Sequence, residues 1–320
     1  MFDKFITEDA REIVDTVARA LQEALPLDRL SRPDGGLAAE TGFWPELLAL
    51  EWPGVDLPAA IGGSEAGAWT ETGIFREFGR HLLSPGVLAV TLAASVAQEG
   101  GLPDLARDIL KGQVSPALAV PLANGWAGVI GTGDLLLLAG EGGLSLHRTR
   151  PEELATAWAF DDTLGAARIR LDPATALTSL PPSAQSRLRL LRLVAAMQNG
   201  IAEATLTLSR DHAATRQQFG KPIGAFQAVK HLCADMAVRT AAAGALLGEA
   251  ALDGADISDC AAAAMTASTA ARDNASATIQ IFGGMGFTAE CPAQLYLKRA
   301  TLLELVVGGK EGLQDEMLAA

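Results

Sequence analysis

Apolar residues in the first third of the chain recur at the spacing that is typical of amphipathic helices. In the first of these segments they fall on one stripe of a helix, and Thr7 is placed to cap its amino end. The predicted helices span residues 9–25, 43–50, 71–83, 86–98 and 102–111. Residues 1–114 are therefore predicted to form an N-terminal helical domain.

The pattern changes at about Ser115, where short apolar runs broken by glycine replace the helical spacing. The runs ALAVPLA, DLLLLAG, GLSLHRT and AARIRLD are typical of short strands joined by tight turns. About five or six strands of average length fit in this stretch. Residues 115–178 are therefore predicted to form a small middle domain of antiparallel β-structure.

Helical spacing returns from Ser183 and continues to the end of the sequence. Three long helices followed by shorter ones are typical of an antiparallel four-helix bundle. The long helices are predicted at 183–211, 224–253 and 256–281, and the shorter ones after Pro292 and near Gly312. Residues 179–320 are predicted to be this C-terminal bundle, so the whole chain is predicted to be mainly α-helical with a small β domain.

The composition argues against a nucleic-acid partner. Lys and Arg total 25 against 38 Asp and Glu, which gives a formal net charge of −13. A protein that binds nucleic acid needs a basic surface to displace counterions from phosphate groups. A small anionic ligand is compatible with this balance, because a few arginines and helix amino ends suffice to bind one. With 49% hydrophobic residues, the chain is expected to bury a large core.

Cysteine, histidine and apolar runs predict neither a metal site nor a membrane span. The three cysteines form no close pair, which argues against disulfides and for a reducing environment. The four histidines lack metal-ligand spacing. The longest uncharged stretch, 114–133, contains prolines and glycines, and neither end of the sequence has the pattern of a targeting signal. We therefore expect a cytoplasmic protein without metal or membrane contacts.

Residues 216–231, RQQFGKPIGAFQAVKH, combine a helix end, a glycine–proline loop and the start of a new helix. Such a turn can present the Arg216 guanidinium and exposed backbone N–H groups to an anion, most naturally a phosphate. Taken alone, the segment is more simply interpreted as a connection between two helices with a solvated arginine.

Residues 280–287, QIFGGMGF, close the third long helix with three glycines in four positions. Glycines in such a run let the backbone approach a bulky ligand without interference from Cβ atoms. Taken alone, this segment is more simply interpreted as a glycine-capped helix end.

Together and in this order, the two segments resemble the acyl-CoA dehydrogenase family of flavoproteins. Residues 216–236 and 280–286 are highly specific for the resemblance. The front of the chain is also similar to the family, with WPELLALEWPGV at 44–55 and PAAIGG at 58–63. The resemblance implies a helical domain, a middle β domain and a four-helix bundle in that order, and the middle part itself hardly matches.

The resemblance implies a set of contacts with an FAD dinucleotide. In the family, the arginine that opens the first motif contacts the pyrophosphate, and it corresponds to Arg216. These groups reach across a dimer interface to the FAD that the neighbouring subunit holds. The other implied contacts are Gln218, Phe219, Phe226 and Gln227 along the dinucleotide, and Gln280, Ile281, Phe282, Gly283 and Gly284 at the adenine end.

The position of the catalytic base departs from the family. In the α,β-desaturation of an acyl-CoA, a carboxylate removes the α-proton while the β-hydrogen leaves as hydride to the flavin. The base position falls on Val307, and that of the threonine after it falls on Gly309. Some members carry the base on the first long bundle helix, where this chain has the carboxylate-free segment 189–192. Glu304 and Glu311 lie nearby in sequence but are expected to point away.

The middle part also departs from the family. Members carry a segment with hydroxyl and charged side chains that wraps the isoalloxazine ring, and residues 119–125, AVPLANG, lack both. The resemblance therefore implies that this chain's own ring pocket is absent or defective.

These differences fall on one side of the predicted site only. The residues that a subunit lends to its neighbour's FAD are present, whereas those for its own flavin ring and proton abstraction are absent. The sequence thus predicts a non-catalytic subunit of a heteromeric FAD-dependent acyl-CoA dehydrogenase, in an α₂β₂ arrangement, that acts on a bulky, steroid-like acyl-CoA bound by the catalytic subunit. Two alternatives stay open: a self-sufficient homomeric enzyme with an unrecognised base, and a flavin-free scaffold or regulatory protein.

Overall fold

A computed structural model describes residues 7–32, 36–140, 143–149, 153–156, 161, 163–288 and 291–319. Helices make up the first third, as predicted. Thr7 caps the first helix, with its Oγ1 accepting a hydrogen bond from the Ala10 amide at 3.3 Å. On the predicted stripe Val17 and Leu21 are fully buried, whereas Ile13 lies at its exposed margin. The helices are α1 Glu8–Ala24, α2 Leu37–Ala49, α3 Gly67–Arg80, α4 Gly86–Glu99 and α5 Pro103–Leu110.

The middle part forms a sheet of seven strands in the described residues, slightly more than the five or six that were predicted. The strands are β1 Pro116–Pro121, β2 Trp126–Ile130, β3 Leu135–Gly140, β4 Gly143–Arg148, β5 Ala155–Thr156, β6 Ala166–Arg170 and β7 Ala176–Leu180. Their order across the sheet is β5-β6-β2-β1-β3-β4-β7. Every pairing is antiparallel except that of β1 with β3, which is parallel, so the sheet is mixed.

A short crossing between β2 and β3 produces the parallel pair. The chain leaves β2 and passes over the start of β1, where the Asp134 and Leu135 amides donate to the Ser115 carbonyl at 3.1 and 3.3 Å. Asp134 Oδ1 in turn accepts from the Ser115 amide at 3.0 Å. A Cβ at Gly133 would lie 2.0 Å from the Ser115 carbonyl oxygen, so only glycine allows this approach.

The last part is the predicted helical bundle. A two-stranded hairpin, β8 Gln217–Gln218 with β9 Lys221–Pro222, connects its first two long helices. The helices are α6 Gln185–Thr215, α7 Gln227–Ala250, α8 Ile257–Phe282, α9 Ala293–Val306 and α10 Gly309–Ala319. The mainly helical fold class with a small β part is confirmed. The division into three domains stays a prediction, because one apolar core runs through the helices at both ends and one face of the sheet, and β7 continues to Leu180.

Helices α3 and α6 touch backbone to backbone where they cross. A Cβ at Gly79 would lie 2.0 Å from the Met197 carbonyl oxygen, and a Cβ at Gly200 would lie 2.0 Å from that of Arg76. The two glycines therefore set the separation between the N-terminal part and the bundle, since any side chain at either position would force the helices apart.

Two buried arginines hold the turn that follows α3. Arg29 Nη2 donates to the carbonyls of His81 and Leu82 at 2.8 and 3.2 Å. From the bundle, Arg299 Nη1 donates to the Leu82 carbonyl at 2.7 Å and also to the carbonyl of Leu83. Leu82 itself has a left-handed backbone with φ 51°, a conformation that a leucine adopts only when its surroundings impose it.

Each of these arginines has a carboxylate partner from another part of the chain. Arg29 pairs with Glu40 of α2 at 2.9 Å, and Arg299 Nε pairs with Asp161 Oδ2 at 3.0 Å. Burial alone would raise the pKa of Asp161, but the charge of Arg299 and the hydrogen bonds from Thr163 and Arg299 outweigh it, so this pKa is lowered. The two pairs thus join the N-terminal helices, the segment before β6 and the bundle at one turn.

Within the described residues, no helix is both long enough and apolar enough to cross a bilayer.

Replacing Asp161 by Asn should destabilise the fold by about 3–5 kcal/mol, because it leaves Arg299 buried without its counter-charge. The lowered pKa means that the contribution of Asp161 is complete above the unfolded-state value of about 3.9 and is lost as the pH falls through the folded-state value. Urea unfolding should therefore show that D161N has a much lower free energy of unfolding than the wild type at pH 7. Across about pH 2–5, the free energy of unfolding should fall less steeply in D161N than in the wild type. The exposed Asp15→Asn variant on α1 is the control, and equal stability of the two variants would contradict the assignment.

Candidate functional site

The two predicted cofactor segments meet at one end of the bundle. The imidazole of His212, in the last turn of α6, stacks on the ring of Phe282 at the end of α8, with centroids 3.9 Å apart and planes at 14°. Arg216 follows directly as the C-terminal cap of α6, and its amide donates to the His212 carbonyl at 2.8 Å. The stack therefore brings the Arg216 loop next to the segment 280–284.

The hairpin after Arg216 carries an aromatic side chain into solvent. Phe219 is 90% exposed and has a left-handed backbone with φ 52°, next to Gly220 with φ 77°. Two successive residues with positive φ form the turn type whose twist matches a tight hairpin. The Phe219 ring meets the edge of Phe226 at 6.1 Å, and Lys221 Nζ lies 4.4 Å from the centroid of that second ring. The sequence thus folds into an arm with Phe219 at its tip.

The predicted residues of the first segment lie on this arm or at its base. Arg216, Gln218 and Gln227 are exposed, and Phe226 is half-buried as the residue before α7. Among the described residues, Gln218 Nε2 donates to the neighbouring Gln217 carbonyl alone, at 2.8 Å. The guanidinium and amide groups therefore face outward from this end of the bundle.

The second segment offers open backbone. Gln280, Gly283 and Gly284 are exposed, and apart from the adjoining residues no atom of the described part of the chain lies within 4 Å of where a Cβ would stand on either glycine. Gly283 has φ 63°, which suits glycine. Ile281 is buried, so its side chain faces the bundle and only its backbone can reach a ligand.

The charge at this end comes from arginine rather than histidine. Burial, and then the positive charge of Arg216, lower the pKa of His212, so its ring is neutral at neutral pH. A neutral ring stacks on Phe282 without adding charge, and Arg216 remains as a fixed cation with five donors. The site can therefore bind an anion of the phosphate type through Arg216 and place a flat group against the glycine backbone.

A second feature is a cavity of about 590 Å³ between the sheet and the bundle. It lies where β1 and β3 end and β4 begins, and Leu305 and Gly308 close it from the bundle side. The described residues that line it include no ionisable side chain; they are Val120, Pro121, Leu122, Leu138, Ala139, Gly140, Gly143, Leu144, Ser145, Ser179, Leu305 and Gly308.

Val307, at the predicted base position, is fully buried beside this cavity. Its carbonyl accepts a hydrogen bond from Arg187 Nη2 at 3.1 Å, and that arginine also pairs with Glu316 of α10. The backbone at this position is thus held from α6.

The nearby carboxylates are occupied elsewhere or exposed. Glu304 pairs with Arg272 of α8 at 2.9 Å, and Glu311 is exposed on α10. On the first long bundle helix, Arg192 pairs with the buried Glu71 of α3 at 2.7 Å, and Arg189 pairs with the same carboxylate. None of these carboxylates lines the described part of the cavity.

Sequence reasoning missed three contacts. His212 stacks on Phe282 and thereby joins the two predicted cofactor segments, which no pattern within either segment reveals. The bond from Arg187 to the Val307 carbonyl also joins residues far apart in the chain. For His147 and Ser145 a signal was available, because residues two apart on a strand lie on the same face. No cluster of metal-ligating side chains occurs among the residues that the structure describes.

Two family models match the chain. The model described as "Acyl-CoA dehydrogenase, N-terminal domain" matches residues 7–119, and that described as "Acyl-CoA dehydrogenase, C-terminal domain" matches residues 182–320. Together they cover well over half of the sequence. The chain belongs to the acyl-CoA dehydrogenase family. The two matches leave out most of the sheet, in line with the poor resemblance of the middle part.

Curated relatives support the same membership. Acyl-CoA dehydrogenase FadE34 of Mycobacterium tuberculosis is 34% identical over 278 residues, which are 80% of this chain and 38% of that protein. The chain thus spans well under half the length of FadE34. Acyl-CoA dehydrogenase IpdE2 of the same organism is 32% identical over 250 residues, which are 76% of this chain and 75% of IpdE2.

Solved structures share the fold. A chain of a variant of the Tcur3481–Tcur3483 steroid ACAD superposes with a TM-score of 0.80 at 23% identity, covering 98% of this chain and 97% of that one. A chain of the ChsE4–ChsE5 complex from Mycobacterium tuberculosis gives a TM-score of 0.77 at 19% identity, with the same coverage. At these identities the likeness concerns the acyl-CoA dehydrogenase fold alone.

Replacing His212 by Ala should loosen the junction between the two segments, because the stack with Phe282 is lost. We expect faster amide hydrogen exchange in residues 212–219 and 280–284, and a loss of stability on the order of 1 kcal/mol. His212→Phe retains a ring on Phe282 and should retain most of the protection, while His231→Ala, on the exposed side of α7, is the matched control. Unchanged exchange in His212→Ala would contradict a role for the stack.

Proposed function

We propose that this chain is a non-catalytic subunit of a heteromeric FAD-dependent acyl-CoA dehydrogenase. It donates contacts to the dinucleotide of an FAD that a catalytic partner subunit holds, in an α₂β₂ assembly. The substrate is a bulky acyl-CoA, of the size of a steroid side-chain derivative, bound in the partner's site. The observation that carries the proposal is the contrast between the two ends of the molecule: a cationic, outward-facing arm at one, and a cavity whose described lining has no ionisable side chain at the other.

The residues at the arm fit an FAD dinucleotide. Arg216 supplies a cation for the pyrophosphate, and the open backbone at Gly283 and Gly284 leaves room for a flat base. Phe219 is 90% exposed and contacts only the ring of Phe226 among the described aromatic rings, which supports its insertion into a neighbouring subunit. When bound, FAD accepts the hydride in the α,β-desaturation; this chain holds and orients its dinucleotide tail.

The lining of the 590 Å³ cavity supports the proposal that this chain lacks a catalytic carboxylate. Proton abstraction from the α-carbon needs a carboxylate within hydrogen-bond reach. A buried valine occupies the matching position, and the carboxylates of Glu304 and Glu71 are engaged in ion pairs. Partner and substrate are supported by the relatives, since one is described as a steroid ACAD and another as a complex of two chains.

The direct experiment is to purify the chain alone and together with the product of the neighbouring gene. We expect flavin absorbance and acyl-CoA dehydrogenation only from the co-purified assembly. Dehydrogenase activity and bound flavin in the chain alone would instead support a self-sufficient homomeric enzyme with another base. A colourless assembly without FAD would support a scaffold or regulatory protein.

Arg216→Ala should weaken FAD retention in the assembly by about 1.5–3 kcal/mol, which is roughly 10- to 150-fold in Kd, because a charge-assisted hydrogen bond is lost. FAD release is followed by flavin fluorescence during dilution. Arg210→Ala is the matched control, since this exposed arginine lies on α6, six residues before Arg216, and pairs with the neighbouring Asp211. Equal FAD retention in the two variants would show that Arg216 does not contact the cofactor.

A further inference from the structure

A smaller cavity lies at the opposite end of β1 from the cavity beside Val307. Its volume is about 400 Å³, within the range of small-molecule sites, roughly 300–1,000 Å³. It is enclosed by α2, the start of α4, the start of β1 and the end of β2. The 590 Å³ cavity is lined by the other end of β1, so the two are separate, and the smaller one is called the α2 cavity below.

One face of α2 lines this cavity with a carboxylate and two aromatic rings. Glu40, Phe43 and Trp44 stand at positions i, i+3 and i+4 of the helix, so their side chains lie on the same face. Phe43 is buried and Trp44 is half-buried. A carboxylate beside aromatic faces is a combination that attracts an ammonium ion, through charge at the one and through the ring quadrupole at the other.

The carboxylate of Glu40 is held in place by two hydrogen bonds. Its Oε1 accepts from Arg29 Nη2 at 2.9 Å, and its Oε2 accepts from the Ser84 amide at 3.0 Å. An ionised carboxylate offers about four acceptor sites, so these bonds use only part of its capacity. Arg29 is fully buried and does not line the cavity. Because Glu40 does line it, the remaining acceptor sites can receive a donor that enters the cavity.

The polar groups of the lining decide the charge of the ligand. Glu40 is the one ionisable side chain among the described residues that line the α2 cavity. An anion would therefore meet a carboxylate and no lining cation. A purely apolar ligand would strip water from Glu40 without replacing its hydrogen bonds, which costs free energy. The net charge of −13 further favours the approach of a cation.

We infer that the α2 cavity binds an organic ammonium ion, whose N–H groups donate to Glu40 and whose apolar substituents lie against Phe43 and Trp44. The inference goes beyond the proposed function. It concerns a separate cavity, needs neither FAD nor a partner subunit, and stands whether or not the arm serves a neighbour.

The test compares three probes that share one ring: cyclohexylammonium, cyclohexanol and cyclohexanecarboxylate, which at pH 7 are a cation, a neutral donor and an anion. Binding to the purified full chain is followed by NMR of isotope-labelled leucine methyl groups, of which Leu25, Leu47 and Leu83 line the cavity. We expect cyclohexylammonium to shift these methyls and to bind roughly 5- to 12-fold more tightly than cyclohexanol, the difference between a charge-assisted and a neutral hydrogen bond. Cyclohexanecarboxylate should bind more weakly than either.

Two variants separate the carboxylate from the ring. Glu40→Gln keeps the shape of the side chain and should abolish the preference for the ammonium over the alcohol, with the exposed Glu46→Gln on the same helix as control. Trp44→Leu should reduce the preference about 2- to 5-fold, because the cation loses an aromatic face. Trp126→Leu, at a half-buried tryptophan on β2, is its control. Trp44→Leu leaves the ion pair of Glu40 with Arg29 intact, so it decides the question even if Glu40→Gln does not fold.

The inference is overturned if cyclohexylammonium leaves the three leucine methyls unshifted, if it binds no more tightly than cyclohexanol, or if Trp44→Leu retains the full preference. None of these readouts involves FAD, so such a result leaves the proposed subunit role standing. Equally, loss of the subunit role in the co-purification experiment leaves this inference standing.

Discussion

The structure depends on the hydrogen bonds that two buried arginines donate to one turn. Arg29 and Arg299 both donate to the carbonyls of residues 81–83, and each has a carboxylate partner from a further segment. Buried guanidinium groups are tolerated when their charge is paired and most of their donors are bonded; both arginines have a carboxylate partner here, and among the described residues Arg29 Nε is the donor left without a hydrogen bond. The N-terminal helices, the segment before β6 and the bundle must therefore all be correctly placed relative to this turn.

The groups exposed at the end of the bundle differ in chemistry from those that line the cavity beside the sheet. The bundle ends in exposed groups: Arg216, the tip residue Phe219 and the glycine backbone after α8. On the side of the sheet, the chain encloses an apolar cavity next to a valine. An acyl-CoA dehydrogenase fold is thus combined with polar groups that point outward into solvent and a cavity whose described lining offers hydroxyls but no ionisable group.

Close backbone approach explains why small residues matter at particular points. Gly79 and Gly200 let α3 and α6 meet directly, and Gly133 lets the chain cross the start of β1 to form the one parallel pair of the sheet. Local sequence could not reveal that pair, because the continuous apolar run of β3 is compatible with either orientation of its partner strand. It is the crossing over Ser115 that decides the orientation.

The sequence by itself determined the helices, the position of the sheet and the two cofactor segments, because periodicity, caps and glycine runs act over a few residues. It also predicts that Val307 stands at the family's base position. Only the tertiary structure decided that His212 stacks on Phe282, that Arg187 holds the Val307 carbonyl, and that His147 is buried beside Ser145. The first two contacts join residues distant in the chain, so no short-range pattern could specify them. The third joins residues two apart on β4, where the alternation of a strand places both side chains on one face and the fold decides only their burial.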